Sequence, residues 1–287
     1  MAGLIASKGA VTLEDVARAA GVSTSSVSRF LSGKVRVSDK RGARIAEAIE
    51  HLNYQPNTAA RTLASGRSAT IGIVTQDISD VFFGELIKGV EQEFRVSDYA
   101  SLIASTEQST LGEQACLDVL LARQVDGVII MGHSLSAGVL GEYVGKFPMV
   151  VVGQKLKGPR CISLVSDYTA MARQAVKHLI DLGHTRIGFV GGLSSHPDVV
   201  ARLKGYRLAL ENAGLMFDPA LVEQGDMLAS GGGLAVARLL DKRTAFTALF
   251  AANDENAFGI RLELYRRGLS VPGDISLVGF DDLPAAS

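Results

Sequence analysis

Residues 12–31 read TLEDVARAAGVSTSSVSRFL. Leu13, Val16, Ala17 and Ala20 recur at i, i+3, i+4 and i+7, which places them on one face of a helix. Thr12 offers a capping hydroxyl at its start, and Asp15, three residues on, supplies the acidic half of a capping box. Gly21 follows the last periodic residue, where a left-handed helix end favours glycine. Ser23 can cap a second helix, with Val27, Phe30 and Leu31 turned inward and Thr24, Ser25, Ser26, Ser28 and Arg29 turned outward. Such an outward face suits a DNA major groove: short hydroxyls lie close to base edges, and arginine can bond guanine bidentately. Taken alone, the same stretch also describes an ordinary packed helical hairpin.

The following residues narrow that choice. Ser38 opens a third periodic segment, with Ala43, Ile45, Ala46, Ile49 and Leu52 available to close a three-helix core. Then comes LNYQPNTAARTLASGRS, residues 52–68. Pro56 ends the third helix, because the residue before proline avoids the α region. Asn57 can cap a short helix over 58–64. A helix of that length is marginal in water and needs an external support, such as DNA and a second copy of itself. Ser65 to Ser68 then read as a flexible basic linker.

The blocks VTLEDVARAAGVSTSSVSR, LNYQPN and AARTLAS stand in an order and spacing that resemble the headpiece and hinge of the lactose repressor/galactose repressor family of bacterial transcription regulators. The resemblance implies a helix-turn-helix headpiece over residues 1–54 and a hinge helix with linker over 55–68. It further implies that Thr24, Ser25 and Arg29 reach base edges, while Ser23, Ser26 and Ser28 position phosphates or the helix itself. Asn57, Ala60 and Leu63 carry the DNA contact into the hinge, with Leu63 resembling an apolar wedge pushed between base pairs of the minor groove.

Charge partitions in the same way. Residues 1–67 hold ten Lys or Arg and five Asp or Glu, a net +5, whereas the remaining 220 residues hold 19 and 25, a net −6. Phosphate neutralisation requires positive charge on the segment that meets DNA, and the acidic remainder would be repelled by it. The chain has 287 residues, 47% of them hydrophobic, which is enough for the headpiece plus one large or two medium α/β domains. No apolar run approaches the roughly 18 residues of a membrane span, so no membrane association is expected. The opening MAGLIASKGAV lacks the basic flank and apolar core of a secretory signal, so a cytoplasmic location is expected. Cys116 and Cys161 stand in apolar surroundings without CxxC spacing and read as reduced thiols.

From Ala69 the pattern becomes β-α alternation. Residues 71–74, 101–104, 127–131 and 149–152 form one set of continuous apolar runs of strand length. Residues 162–165, 187–190, 221–223, 248–251 and 275–279 form a second. Helix-period segments separate the runs, at 83–94 and 113–121 in the first set and at 168–182, 199–213, 234–240 and 255–267 in the second. Continuous apolar strands signal parallel sheets covered on both faces. The expected fold is therefore an all-α headpiece plus an α/β core of two doubly wound parallel-sheet subdomains, 69–158 and 159–287, dividing where Gly153, Gly158 and Pro159 cluster. Ligands of open parallel sheets bind beyond the carboxyl ends of the strands. There the sequence places Asp77, Asp80, Gly132 to Ser134, Asp167, Gly191 to Ser195, Asn253-Asp254 and Asp281-Asp282, beside Phe82 and Phe83. This composition describes a cleft for a small polar ligand.

Residues 71–282 resemble the same family's effector-binding core, itself similar to periplasmic sugar-binding proteins. The resemblance assigns effector contact to Asp80, Phe82, Phe83, Asp167, Arg202, Asn253 and Asp281. From its residue context alone Arg202 reads as a surface cation. The family has Asn-Pro before its aromatic pair where Asp80-Val81 stands here. Its pattern also continues about fifty residues past the GFDD block, supplying a last crossover, strand and helix whose lack would leave a sheet edge uncovered. Catalytic and metal roles find no support: Gly191–Pro197 is not a GxSxG elbow, Gly231–Gly233 lacks the lysine of a phosphate loop, and the five histidines show no HExxH spacing. The expected function is an effector-responsive repressor of a catabolic operon. It would need no cofactor and would bind a double-stranded operator as a homodimer in response to a sugar or related polar metabolite. The alternative is a sugar-binding receptor without DNA regulation.

Overall fold

In the computed structural model, Thr12 and Asp15 exchange the two bonds of a capping box. The Thr12 N–H donates to Asp15 Oδ2 at 3.0 Å and the Asp15 N–H to Thr12 Oγ1 at 3.3 Å. They start helix α1, Leu13–Ala20, and Gly21 ends it at φ 62°, ψ 43°. Ser23 accepts from the Ser26 N–H at 3.3 Å and starts α2, Thr24–Ser32. Helix α3, Asp39–Leu52, closes the bundle, and Arg44 Nη2 donates to the Gly21 carbonyl at 3.3 Å, tying α3 to the turn between α1 and α2. The structure describes residues 11–32, 38–55, 62, 66–107, 109–132 and 137–286. Apart from Thr62, the expected hinge helix over 58–64, with Ala60 and Leu63, falls outside them, as do Asn57, His133 and Ser134.

Val16, Ala17, Ala20, Val27, Ile45, Ala48 and Tyr54 form the headpiece core, with Leu13, Phe30, Ile49 and Leu52 packed around it. Two expectations are corrected. Leu31 faces outward, 37% exposed. On α3, Ala43 and Ala46 are exposed and Ala48 is buried in their place. The inward stripe is thus Ile45, Ala48, Ile49 and Leu52, a cleaner i, i+3, i+4, i+7 set than the one read from the sequence.

The first sheet contains β1 Thr70–Thr75, β2 Ala100–Ser105, β3 Gly127–Met131, β4 Met149–Val152 and β5 Cys161–Leu164, in the order β2-β1-β3-β4-β5, all parallel. Helix α4, Val81–Phe94, covers one face through Phe83, Leu86, Ile87 and Val90 against Ile73 and Met131. Helices α5, Thr110–Ala122, and α6, Ala137–Gly141, lie on the other, where Leu117, Leu120 and Leu140 meet Val74, Ile130 and Val151. At the foot of the sheet the Asp126 carboxylate accepts from the Ser68 N–H at 2.9 Å, the Ser68 hydroxyl at 3.2 Å and the Ala69 N–H at 3.0 Å. Strand β5 corrects the expected division of the core. It pairs with β4, Val151 opposite Ser163, so the chain leaves the first sheet after Leu164, beyond the glycine-proline cluster. The link over residues 153–160 is shorter than the crossover of about a dozen residues that normally joins parallel strands, and for that reason it reads as a boundary.

The second sheet contains β6 Ile187–Gly191, β7 Val222–Gln224, β8 Ala248–Ala251 and β9 Ser276–Val278, in the order β7-β6-β8-β9, again all parallel. Alternate residues serve opposite faces. Phe189 and Phe250 pack under α7, Tyr168–Asp181, and α8, Pro197–Asn212. Val190, Leu249 and Ala251 pack under α9, Ala229–Asp241, and α10, Asp254–Arg266. Helices α9 and α10 approach so closely that a Cβ on Gly259 would lie 1.7 Å from the Ala229 carbonyl oxygen. No helix among the described residues is long and apolar enough to cross a membrane.

Candidate functional site

Two surfaces carry chemistry. The first is the outer face of α2, where Thr24, Ser25, Ser28 and Arg29 are exposed over the buried Val27. Ser26 is half-buried, and the Ser23 hydroxyl lies 2.9 Å from that of Ser25 and 3.0 Å from that of Ser26. The hydroxyl of Ser23 therefore organises the first turn, leaving Thr24, Ser25, Ser28 and Arg29 as the groups that α2 presents. Arg18 on α1 and Arg41 and Arg44 on α3 are exposed as well.

The second surface lies at the carboxyl ends of the strands. Arg202 is in α8 and is 3% exposed. Its Nη1 donates to the Ala252 carbonyl, its Nη2 to Asp281 Oδ1 at 3.3 Å, and its guanidinium carbon stands 4.1 Å from the Phe280 ring centroid and 5.0 Å from that of Tyr168. Asp281 follows β9 in a left-handed backbone at φ 107°, with Asp282 beside it at φ 61°. Burial pushes the Asp281 carboxyl up to about 7; Arg202 pulls it down, while Asp254, Asp80 and Asp198 add to the rise. Two adjacent positive-φ aspartates are costly backbone choices. The turn is fixed by Asp254, whose N–H donates to the Phe280 carbonyl and whose Oδ2 accepts from the Leu283 N–H, both at 2.8 Å.

Asp80 belongs to the other sheet. Its Oδ1 accepts from the Phe82 N–H at 2.9 Å and so caps α4, and burial raises its carboxyl above the usual carboxylate range. Asp80 is among the carboxylates whose charge raises Asp281. Phe82 and Phe83 stand edge to face, with centroids 5.3 Å apart. Phe83 packs into the core beneath Gly132, where a Cβ would lie 2.3 Å from its ring, and Phe82 is half-buried at the rim.

The expected residues thus divide. Arg202 and Asp281 meet in an ion pair at 3.3 Å, while Asp80 is engaged at the start of α4. Asp167 is exposed and spends an oxygen on the Ala170 N–H at 3.0 Å, capping α7. Asn253 caps α10 through the Asn256 N–H at 3.0 Å and donates to the Met227 carbonyl at 2.8 Å. Sequence reading missed Tyr168, Asp198 and Phe280. Phe280 had a signal, since it immediately precedes Asp281 in GFDD. Asp198 had a weaker one in its place after Pro197 at a helix start.

Comparison with known proteins bears on both surfaces. A model for "Bacterial regulatory proteins, lacI family" matches residues 12–57, and one for "Periplasmic binding proteins and sugar binding domain of LacI family" matches residues 68–287. The chain belongs to the lacI family. Its relatives include catabolite control protein A of Priestia megaterium, 35% identical over 274 residues that span 95% of this chain and 82% of the relative. The HTH-type transcriptional regulator GalR of Escherichia coli (strain K12) is 36% identical over 275 residues, 95% of this chain and 80% of the relative. Among solved structures, the lac repressor dimer bound to operator and the anti-inducer ONPF superposes with a TM-score of 0.86 at 28% identity, covering 97% of this chain and 84% of that one. This lacI-family chain is accordingly a DNA-binding transcription regulator and not an enzyme. Its helical module matches the regulatory part of the family and its two sheets the sugar-binding part.

Proposed function

We propose that the chain represses transcription as a homodimer, in the cytoplasm, by holding a pseudo-palindromic operator that it releases or grips according to a sugar or related polar effector in the cleft. The observation that carries this reading is the pairing of two surfaces in one chain. One is the exposed Thr24, Ser25, Ser28 and Arg29 face on a capped, well-packed helix. The other is the rim at the carboxyl ends of the strands, where Arg202 and Asp281 pair at 3.3 Å and Asp80 caps α4. The lac repressor comparison, a dimer on operator, supports the dimeric arrangement, and a transcriptional regulator CelR–cellobiose complex, of TM-score 0.66, supports a sugar in the cleft. Effector binding shifts the population between two arrangements of the subdomains, and only as far as the effector's differential affinity for them allows.

The test begins with selection of an operator from random duplexes using the purified chain. Arg29→Ala should then lower the preference for that operator over random DNA by about 1–3 kcal/mol, the discrimination given by one bidentate guanine contact. Equal losses on operator and random DNA would make Arg29 a phosphate contact and remove it from sequence reading.

A further inference from the structure

Helix α2 is joined to α1 by Gly21, Val22 and Ser23. The direction in which it leaves that turn sets where Thr24, Ser25, Ser28 and Arg29 point. The α1 side of the turn is closed on itself. The Gly21 N–H donates to the Arg18 carbonyl at 3.2 Å and the Val22 N–H to the Ala17 carbonyl at 3.0 Å, as where a helix ends at a left-handed glycine. The Gly21 carbonyl lies outside that pairing. It accepts from Arg44 Nη2 at 3.3 Å, across 23 residues of chain. The guanidinium covers the glycine so closely that a Cβ there would meet Nη2 at 2.3 Å.

On α3, successive residues turn by about 100°, which places Arg44 and Gly42 on opposite flanks of the inward stripe of Ile45, Ala48 and Ile49. Gly42 serves the far end of α2: a Cβ on it would lie 3.3 Å from the Phe30 ring, so Phe30 packs against its backbone. Helix α3 therefore braces α2 from the turn before its first residue to the phenylalanine of its last turn, with Val27 buried between them.

Base reading is exacting in distance, whereas attraction to phosphates is not. From Thr24 to Arg29 the helix rises about 7.5 Å, so a pivot of about 10° at the turn moves Arg29 by about 1 Å. Hydrogen-bond lengths span only about 0.5 Å, while charges attract over about 10 Å at moderate salt. We propose that Arg44 is a positioning residue for sequence recognition: its bond to the Gly21 carbonyl fixes the angle at which α2 is presented, and it favours the operator without itself contacting DNA. This rests on the reading of α2 as the base-reading helix and adds to it the residue of another helix that aims it.

The test uses the full chain, the selected operator and a random duplex, each titrated over a series of salt concentrations. Arg44→Met should weaken operator binding about three- to tenfold, the worth of one such hydrogen bond. Random-duplex binding should change at most about twofold, since only a screened charge is lost, and the slope of log affinity against log salt should stay the same. A headpiece merely loosened would lose both duplexes in proportion. A phosphate contact would weaken both and flatten the slope by about 0.9. Either result overturns the inference. Gly21→Ala should drive the guanidinium off the turn by itself, because the new methyl would stand 2.3 Å from Nη2. In that background Arg44→Met should alter the operator-to-random ratio little further, and full additivity of the two substitutions also overturns the inference. Arg29→Ala, measured alongside, keeps the two readings apart. If it lowers the ratio and Arg44→Met does not, this inference alone falls; if neither lowers it, base reading by α2 falls with it.

Discussion

Replacing Arg202 by Met retains much of the side chain's volume and deletes its charge, and the structure lets the consequence be worked through. Breaking a buried ion pair costs about 3–5 kcal/mol when the orphaned charge remains ionised. Here the orphan is Asp281, which burial already holds at about 7 even with Arg202 beside it. Without the arginine its carboxyl moves higher still and takes up a proton, which caps the penalty. What remains is the unsatisfied Ala252 carbonyl, about 1–3 kcal/mol, and the lost contacts with Phe280 and Tyr168, about 0.5–2 kcal/mol. The variant should therefore lose about 1.5–5 kcal/mol below neutrality, these two losses taken together.

The sign of the pH dependence follows from proton counts. Between the unfolded carboxylate value and about 7, folded Asp281 holds a proton that the unfolded chain has lost, so its contribution falls with rising pH in both proteins equally. Above that value the native protein has released the proton whereas the variant retains it. The stability gap then widens by about 1.4 kcal/mol per pH unit until the variant's carboxyl also ionises. Since the chain contains no tryptophan, urea unfolding is best followed by far-UV circular dichroism, at about pH 6 and about pH 8.5, so that the two points fall on either side of the native titration. A gap of the same size at both pH values would refute the coupling between Arg202 and Asp281.

Other outcomes are open to measurement. Leu63→Ala should greatly reduce operator affinity while leaving effector titrations unchanged, because a minor-groove wedge acts only on DNA; gel-shift titration with undiminished affinity would remove the wedge assignment. Gly259→Ala places a methyl 1.7 Å from the Ala229 carbonyl oxygen, so α9 and α10 must separate. A loss of about 1–3 kcal/mol, typical of overpacking, should appear in urea unfolding, and an unchanged midpoint would show that the helices part freely.

The parts of this fold that the sequence reveals are those decided locally. The Thr12–Asp15 box and the left-handed Gly21 each depend on residues within one turn, and both stand in the structure as read. The apolar strands were equally plain, because sheets covered on both faces demand uninterrupted Val, Ile and Phe. Membership of a sheet is different in kind. Whether Cys161–Leu164 joins the first or the second sheet is decided by pairing with Met149–Val152, and no local preference records it. The cleft shows a related ambiguity. Aspartate and asparagine at a strand's end are suited both to binding hydroxyls and to capping the next helix, and Asp167 and Asn253 have their oxygens engaged in the second role. Arg202 shows the converse, since helical periodicity gave it a solvated position and its partners Ala252 and Asp281, 50 and 79 residues away, put it inside.

The triple grip of Asp126 on Ser68 and Ala69 has a mechanical meaning. The point at which the chain enters the first sheet is not a slack tether but a fixed mount, welded to the loop before β3. Any rotation of the first subdomain carries residue 68 with it, without lost motion. Where two copies act together, the span between their two Ser68 residues becomes a gauge of subdomain orientation.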